Sequence, residues 1–330
     1  MPRINIPIFF LLAILVALSL PACEPKAKHQ ALTSVIVQLR WTHQAQFAGF
    51  YAADQNGYYA DEGLAVTFLE GGPTVDYIAP VMNGTAQFSI TNADALLVAR
   101  ADGKPVRAIA VISRRSPGVY MALASSGISR PQDFVGKTIQ TGPGGISRLH
   151  MMMARVGIVS NQYKVVDLTA DLTALYSGKV DVRNVNLTNE VIAAKAAGYQ
   201  INVIYPDDYG VHFYGDTLFT TDEIIANNPQ LVERFVRATL KGWTFAVENS
   251  TQVGAMVVKY KVDADPAFEI TKMIASIPLI NTGEDHIGWM KPEAWAAMES
   301  ALREQELITH PLDVTQVYTL QFLNAIYPPQ

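Results

Sequence analysis

"SVIVQLRWTHQAQFAGFYAADQNGYYADEGLAVTFLE", Ser34 to Glu70, decides the fold of this chain. Its first seven residues alternate into a strand, and a corner of aromatic, amide and imidazole side chains follows directly. "AGFYAADQNGYYADEG" then reads as a helix ended by Gly57, with a turn at Gly63 before the strand "LAVTFLE". Beyond it come a Gly-Gly-Pro turn at Gly71 to Pro73, a helix "VDYIAPVMNG" and a strand "AQFSIT". The order is β-α-β-α-β.

The same plan returns downstream. "GKTIQT" is strand-like, "GPGG" (Gly142 to Gly145) a tight loop, and "ISRLHMMMARVG" a helix closed by Gly157; "YKVVDL", "LTALYSG" and "VDVRNV" complete strand, helix and strand. "PVMNGTAQFSI" and "ALYSGKVDVRN" each run helix, glycine, two residues, strand, so both halves use one α/β unit. From Thr221 onward the pattern is helical, with capping chemistry at Thr220 or Thr221 and a helix start at Asn228-Pro229. Two α/β lobes with a cleft between them are expected, the tail returning over the first lobe. The divisions fall at 34–123 for the first part of lobe one, 124–216 for lobe two, and 217–330 for the return.

Composition narrows the partners. Of 330 residues 49% are hydrophobic and 17% charged, enough to bury a large core, and a formal charge of -5 without a basic run excludes a nucleic-acid track. Residues 4 to 22 are apolar after Arg3 and end Leu20-Pro21-Ala22-Cys23, the layout of an export signal over 1–22 whose finish resembles a lipoprotein cleavage box. Cys23 is the expected lipidation site, and residues 23–33 are the expected tether to the outer side of a bacterial membrane. Because Cys23 is the single cysteine, disulfides and a cysteine-based metal site are excluded from the mature body. No metal or cofactor site is expected. The histidines are scattered without metal-ligand spacing, and neither His-Glu-x-x-His nor a Gly-x-Ser-x-Gly elbow occurs, so no catalytic residue is assigned.

In open parallel sheets, ligands sit beyond the carboxyl ends of the strands. Trp41 and Phe47, with Tyr51, offer flat faces there for a planar ring, while His43, Gln44 and Gln46 offer donors and acceptors for its edge. The alternative for the aromatics is core packing. On the second lobe, Gly144, Gly145 and Ser147 offer backbone N–H groups at a helix start. "GPGG" also approaches a dinucleotide fingerprint, but Pro143 stiffens the turn and Ser147 replaces the third glycine, so that reading is rejected. Asn92 with Asp94, and Asn189 with Glu190, follow corresponding strands of the two units as cleft-facing groups or helix caps. Tyr120 and Tyr214 stand beside glycines in the two stretches that pass between lobes, Ser113 to Ala124 and His212 to Phe219.

Together "WTHQAQFAGFYAADQNGYYADEGLAVTFLEGG", "NGTAQFSITNADALLVARADGKPVRAIAVI", "GISRPQDFVGKTIQTGPG" and "VHFYGDTLFTTDEIIANNPQLVERFVRATLKGWTFAVEN" resemble the ABC-transporter solute-binding proteins of the thiamin-pyrimidine group. That group includes the fungal thiamin pyrimidine synthase and is similar to sulfonate and nitrate binders. The resemblance implies a type II periplasmic-binding-protein fold, a monomer tethered outside the cytoplasm, and an ABC permease with its ATPase as partners. It implies a formylaminopyrimidine or hydroxymethylpyrimidine in the cleft, stacked on Trp41 and Phe47. Edge recognition would fall to Asn92, the Gly144-Gly145 backbone and Glu190. Some relatives with a similar "QFAGFY" corner bind riboflavin or other flat heterocycles. The fungal enzyme works through a cysteine-rich iron-binding motif that this chain lacks, which argues against pyrimidine synthesis. A sensor or scaffold without transport is the remaining alternative.

Overall fold

Val35 and Val37 are fully buried in the first strand, whereas Phe88 to Thr91 and Asp216 to Thr221 are buried residue after residue. Strands with no solvated face belong at the centre of a sheet covered on both sides. The computed structural model, which describes residues 31–72, 75–169 and 171–327 (143 and 144 by backbone alone), places them so. The export signal, Cys23 and most of the expected tether lie outside the described residues.

The first sheet contains β1 (Thr33–Gln38), β2 (Leu64–Leu69), β3 (Phe88–Asn92), β4 (Val106–Val111) and, from far downstream, β10 (Asp216–Thr221). Its order is β2-β1-β3-β10-β4, with β1 parallel to β2 and β3, and β10 antiparallel to β3 and β4. The second sheet contains β5 (Gly118–Leu123), β6 (Thr138–Gln140), β7 (Lys164–Val166), β8 (Val182–Asn186) and β9 (Ile201–Ile204), in the order β7-β6-β8-β5-β9. Here β6 is parallel to β7 and β8, and β5 is antiparallel to β8 and β9. The two orders are therefore the same pattern, each with one antiparallel strand that has just crossed over from the other sheet. The strands β3 and β8, which follow the two similar helix-glycine-strand stretches, hold equivalent positions.

Two expectations shift. The strand β5, assigned above to the first lobe, hydrogen-bonds within the second sheet, so the first crossing lies between Val111 and Gly118. Its alternation shows why: Val119 and Met121 face one apolar cluster while Tyr120 and Ala122 face another, and both clusters need a sheet between them. The expected GPGG loop is instead the first turn of helix Pro143–Arg155, with Gly142 as N-cap. Proline at the first helical position loses no hydrogen bond and arrives with a helical φ.

The tail covers the first sheet. Helix Pro229–Glu248 buries Val232, Phe235, Val236, Thr239, Gly242, Trp243 and Ala246 along one stripe, the spacing of a helix packed on a core. It crosses helix Ala48–Gln55 so closely that a Cβ on Gly242 would lie 2.1 Å from the Gly49 carbonyl oxygen. A Cβ on Gly49 would fall 2.2 Å from the Trp243 ring. Thr221 caps the helix that follows β10 by accepting from the Ile224 N–H, and Asp265 caps helix Pro266–Ile280. Residues from Leu32 onward pack as one unit. Among the described residues no helix is long and apolar enough to cross a membrane.

Candidate ligand-binding cleft

The strand β1 ends at Gln38, and the chain then turns across the end of the first sheet. Gly71 makes that turn feasible: its N–H donates to the Trp41 carbonyl at 3.0 Å, and any Cβ there would lie 2.3 Å from the Leu39 carbonyl oxygen. Arg40 is thereby aimed inward. Its Nη1 donates to Asp216 Oδ1 at 2.8 Å and to the Asn92 side-chain oxygen. Gln46 Nε2 donates to the same Asp216 carboxylate at 2.9 Å, and Gln44 Nε2 donates to Gln46 Oε1 at 2.9 Å.

The tail completes this wall. Lys272 and Glu269, one helical turn apart on the otherwise apolar helix Pro266–Ile280, are both buried and paired at 2.8 Å. Lys272 Nζ also donates to Gln44 Oε1 at 3.3 Å, while Glu269 Oε2 accepts the Ala45 N–H at 2.6 Å. A buried polar group without a partner costs about 1–3 kcal/mol, so this continuous network fixes the corner. Trp41 stands beside it with 37% of its surface exposed, unlike the buried Trp243 and Trp295.

Opposite lies the second sheet. Asn184 and Asn186 belong to β8, and the next helix, Glu190–Ala196, starts with Asn189 as its cap. Glu190 Oε2 accepts the Asn186 N–H at 2.9 Å and Oε1 accepts Asn189 Nδ2 at 3.3 Å. Arg148, on the second turn of helix Pro143–Arg155, reaches across: its Nη1 donates to Asp94 Oδ2 at 2.7 Å, with side-chain exposures of 7% and 12%. Asp94 belongs to helix Ala93–Ala101, directly after β3, so this buried pair joins the two sheets' helices.

Between the walls is a cavity of about 190 Å³, lined from both sheets and from the first crossing at Ser116, Pro117 and Gly118. Of the residues singled out from sequence, Trp41, Gln44, Gln46, Asn92, Asn189 and Glu190 line it. Others do not. Phe47 is fully buried in the core, because the 3-10 turn Ala45–Phe47 sends Gln46 to the cavity and its neighbours inward. His43 is held outside the cavity: Nδ1 lies 2.8 Å from the Tyr51 hydroxyl, the ring stacks on Tyr260, and burial lowers its pKa. Tyr51, also suggested for stacking, is fully buried.

Tyr120 is buried against Phe134 and donates to the Gly145 carbonyl at 2.7 Å. Tyr214 packs edge-on against Trp295, and its hydroxyl accepts the Lys291 N–H. Both pack near the crossings without lining the cavity. Asp94 is turned to Arg148. Gly144 and Gly145 sit in the first helical turn, where Gly145 lets the helix approach β8: a Cβ would lie 2.6 Å from Asn184 Oδ1. Ser147 is half-buried one turn on.

Sequence reading overlooked Arg40, Arg148, Lys272, Asn184, Asn186, Thr188 and Leu168, all of which line the cavity. Only Lys272 carried a local signal, as half of an i,i+3 acid–base pair on an apolar helix. Among the described residues no group of three or more His, Cys, Asp or Glu side chains is arranged to hold a metal ion.

Two sheets of one topology, joined by two crossings and enclosing a polar cavity with an exposed indole, define a two-lobed binding protein of the periplasmic type. The family described as NMT1/THI5 like matches residues 44–253, and the chain belongs to it. A riboflavin-binding protein, RibY, of Chloroflexus aurantiacus is 25% identical over 92% of this chain and 90% of its own. A formylaminopyrimidine-binding protein of Halalkalibacterium halodurans is 27% identical over 92% of this chain and 96% of its own. A 4-amino-5-hydroxymethyl-2-methylpyrimidine phosphate synthase of Legionella pneumophila is 25% identical over 88% and 92%. The crystal structure of the periplasmic aliphatic sulphonate binding protein SsuA of Escherichia coli superposes with a TM-score of 0.70, at 13% identity, covering 86% of this chain and 91% of that one.

Proposed function

We propose that the protein is the extracytoplasmic solute receptor of an ABC-type importer, held to the membrane through Cys23, and that its solute is a neutral single-ring aminopyrimidine of the formylaminopyrimidine type. The cavity carries this reading. Drug-sized ligands occupy roughly 300–1,000 Å³. A half-open cavity of about 190 Å³ suits one substituted ring, whereas three fused rings with a sugar-alcohol chain would have to extend out through its mouth.

The wall chemistry supports the same class. Trp41 supplies an open aromatic face for the ring. A carboxylate has about four acceptor positions, and Glu190 uses two on its own loop, leaving the others for an exocyclic amine and its neighbouring ring edge. Asn189, Asn92 and Gln46 supply amide donors and acceptors around it.

Charge argues against anionic solutes. Each cation on the lining has its own carboxylate: Arg40 with Asp216, Arg148 with Asp94, and Lys272 with Glu269. No ion pair to Glu190 occurs among the described residues, although the buried Arg183 guanidinium behind it acts on its charge, so the three pairs leave no unpaired cation on the lining itself. A sulfonate or phosphate would enter with no spare cation to meet it. Catalysis of the kind the synthase relatives are named for has no cysteine beyond Cys23 from which to build an iron-binding motif. We take the protein to bind without turnover.

Calorimetric titration with formylaminopyrimidine, hydroxymethylpyrimidine, riboflavin and an alkylsulfonate tests the proposal. One-to-one binding of the pyrimidines, with riboflavin and sulfonate weaker by at least about tenfold, is expected; tighter binding of riboflavin or sulfonate refutes it.

A further inference from the structure

Arg40 is held fast on one side of its guanidinium and open on the other. A guanidinium carries five N–H donors in a rigid fork. Both on Nη1 are committed, one to Asp216 Oδ1 at 2.8 Å and one to the Asn92 side-chain oxygen. Nε and Nη2 have no hydrogen-bond partner among the described residues, and unlike the Nε atoms of Arg148 and Arg183 they are not shut off from solvent. The side chain is 21% exposed, against 7% for Arg148, and lines the cavity just beyond the end of β1. The carboxylate that pins it is itself fixed: Asp216 is 3% exposed, and its two oxygens also accept the Gln46 amide at 2.9 and 3.1 Å. The fork is therefore set, and its charge balanced, before a solute arrives.

Glu190 stands on the other lobe's wall of the same cavity, with acceptor positions to spare. A charged donor on lobe one thus faces a charged acceptor on lobe two, and the cleft can read opposite edges of one ring with opposite chemistry. From this geometry we infer that Arg40 is a specificity-determining residue, whose unused N–H groups donate to a ring nitrogen on the solute edge opposite its exocyclic amine. The inference rests on the pyrimidine reading above and deepens it: the amine edge turns to Glu190, the ring nitrogen across from it turns to Arg40, and a ring with carbon at that position is disfavoured. The discrimination comes from a guanidinium N–H that gives up water without gaining an acceptor.

The test uses hydroxymethylpyrimidine and its pyridine analogue, in which the ring nitrogen across from the amine is replaced by CH, in alkaline buffer that leaves both rings uncharged. Each is titrated against wild type, Arg40→Gln, and a double variant carrying Arg40→Gln with Asp216→Asn. The double variant removes the carboxylate that the single change leaves without its cation, and thermal melting checks that each protein folds. A hydrogen bond from a charged donor corresponds to a preference of about tenfold or more for the pyrimidine in wild type. In the variants that preference falls to about twofold or less. Equal binding of both ligands by wild type overturns the inference. So does a folded variant that binds both ligands more weakly by the same factor, because Arg40 would then only support the wall. Either result leaves the pyrimidine reading standing, whereas failure of wild type to bind either ligand overturns that reading as well.

Discussion

Trp41 is the residue on which solute affinity is expected to turn, since its indole is the large aromatic face left open on the cavity. Stacking of a heterocycle on an aromatic side chain is worth about 1–3 kcal/mol, so Trp41→Ala weakens pyrimidine binding about 10- to 100-fold in calorimetry, with little change in melting temperature. An unaltered affinity would remove the indole from the site. His43, two residues on, belongs to another balance. Burial lowers its pKa more than the Glu70 charge raises it, so the native state favours the neutral ring. A group whose native pKa is depressed contributes fully above its unfolded value, about 6.5 for histidine. The contribution is lost as pH falls through the lower, native value. Between pH 7.5 and pH 5 the wild type therefore loses more thermal stability than His43→Gln; equal losses would contradict this. The two fates were not separable in sequence, because Trp41, His43 and Gln46 are all polar-edged residues of one corner, and only the path of the 3-10 turn Ala45–Phe47 decides which of them faces the cavity.

The elements that hold this corner are helices Ala48–Gln55 and Pro229–Glu248, in contact through Gly49 and Gly242. With backbone atoms 2.1 Å from any new Cβ, Gly242→Ala must push the helices apart, at a cost of about 1–3 kcal/mol. The prediction is a lower urea midpoint together with weaker solute binding, because the displaced helix begins where the cavity-lining turn ends; a midpoint equal to wild type would show that the crossing has slack. Strands and helices of both units were legible from periodicity and glycine punctuation. The start of helix Pro143–Arg155 was not, since Gly-Pro-Gly-Gly reads equally as a loop until the capping position of Gly142 is seen. Arg148 escaped notice for a related reason: it lies on a helix whose site-facing side is set by packing between distant segments, which the spacing of residues does not reveal.

Across the whole molecule, the matching strand orders of the two sheets place β3 and β8 on opposite walls, which is why Asn92, the last residue of β3, and Glu190, at the start of the helix after β8, meet one cavity. The repeated helix-glycine-strand pattern carried that much in sequence. The exchange of β5 and β10 between sheets did not show locally, because it depends on pairings between segments far apart in the chain. The buried pair Asp94–Arg148 links the two lobes; removing one partner of a buried pair typically costs about 3–5 kcal/mol. Asp94→Ala can avoid that cost by opening and rehydrating Arg148, so its radius of gyration in small-angle scattering should exceed that of wild type. Identical scattering curves would show that the relative placement of the lobes does not depend on this pair. If one flat, neutral pyrimidine is held between Trp41 and Glu190, tryptophan fluorescence reports it during titration with formylaminopyrimidine. Saturable quenching at one ligand per chain is predicted for wild type, with both the quenching and most of the affinity lost in Trp41→Ala. Undiminished quenching in that variant, or no saturable response in wild type, would contradict it.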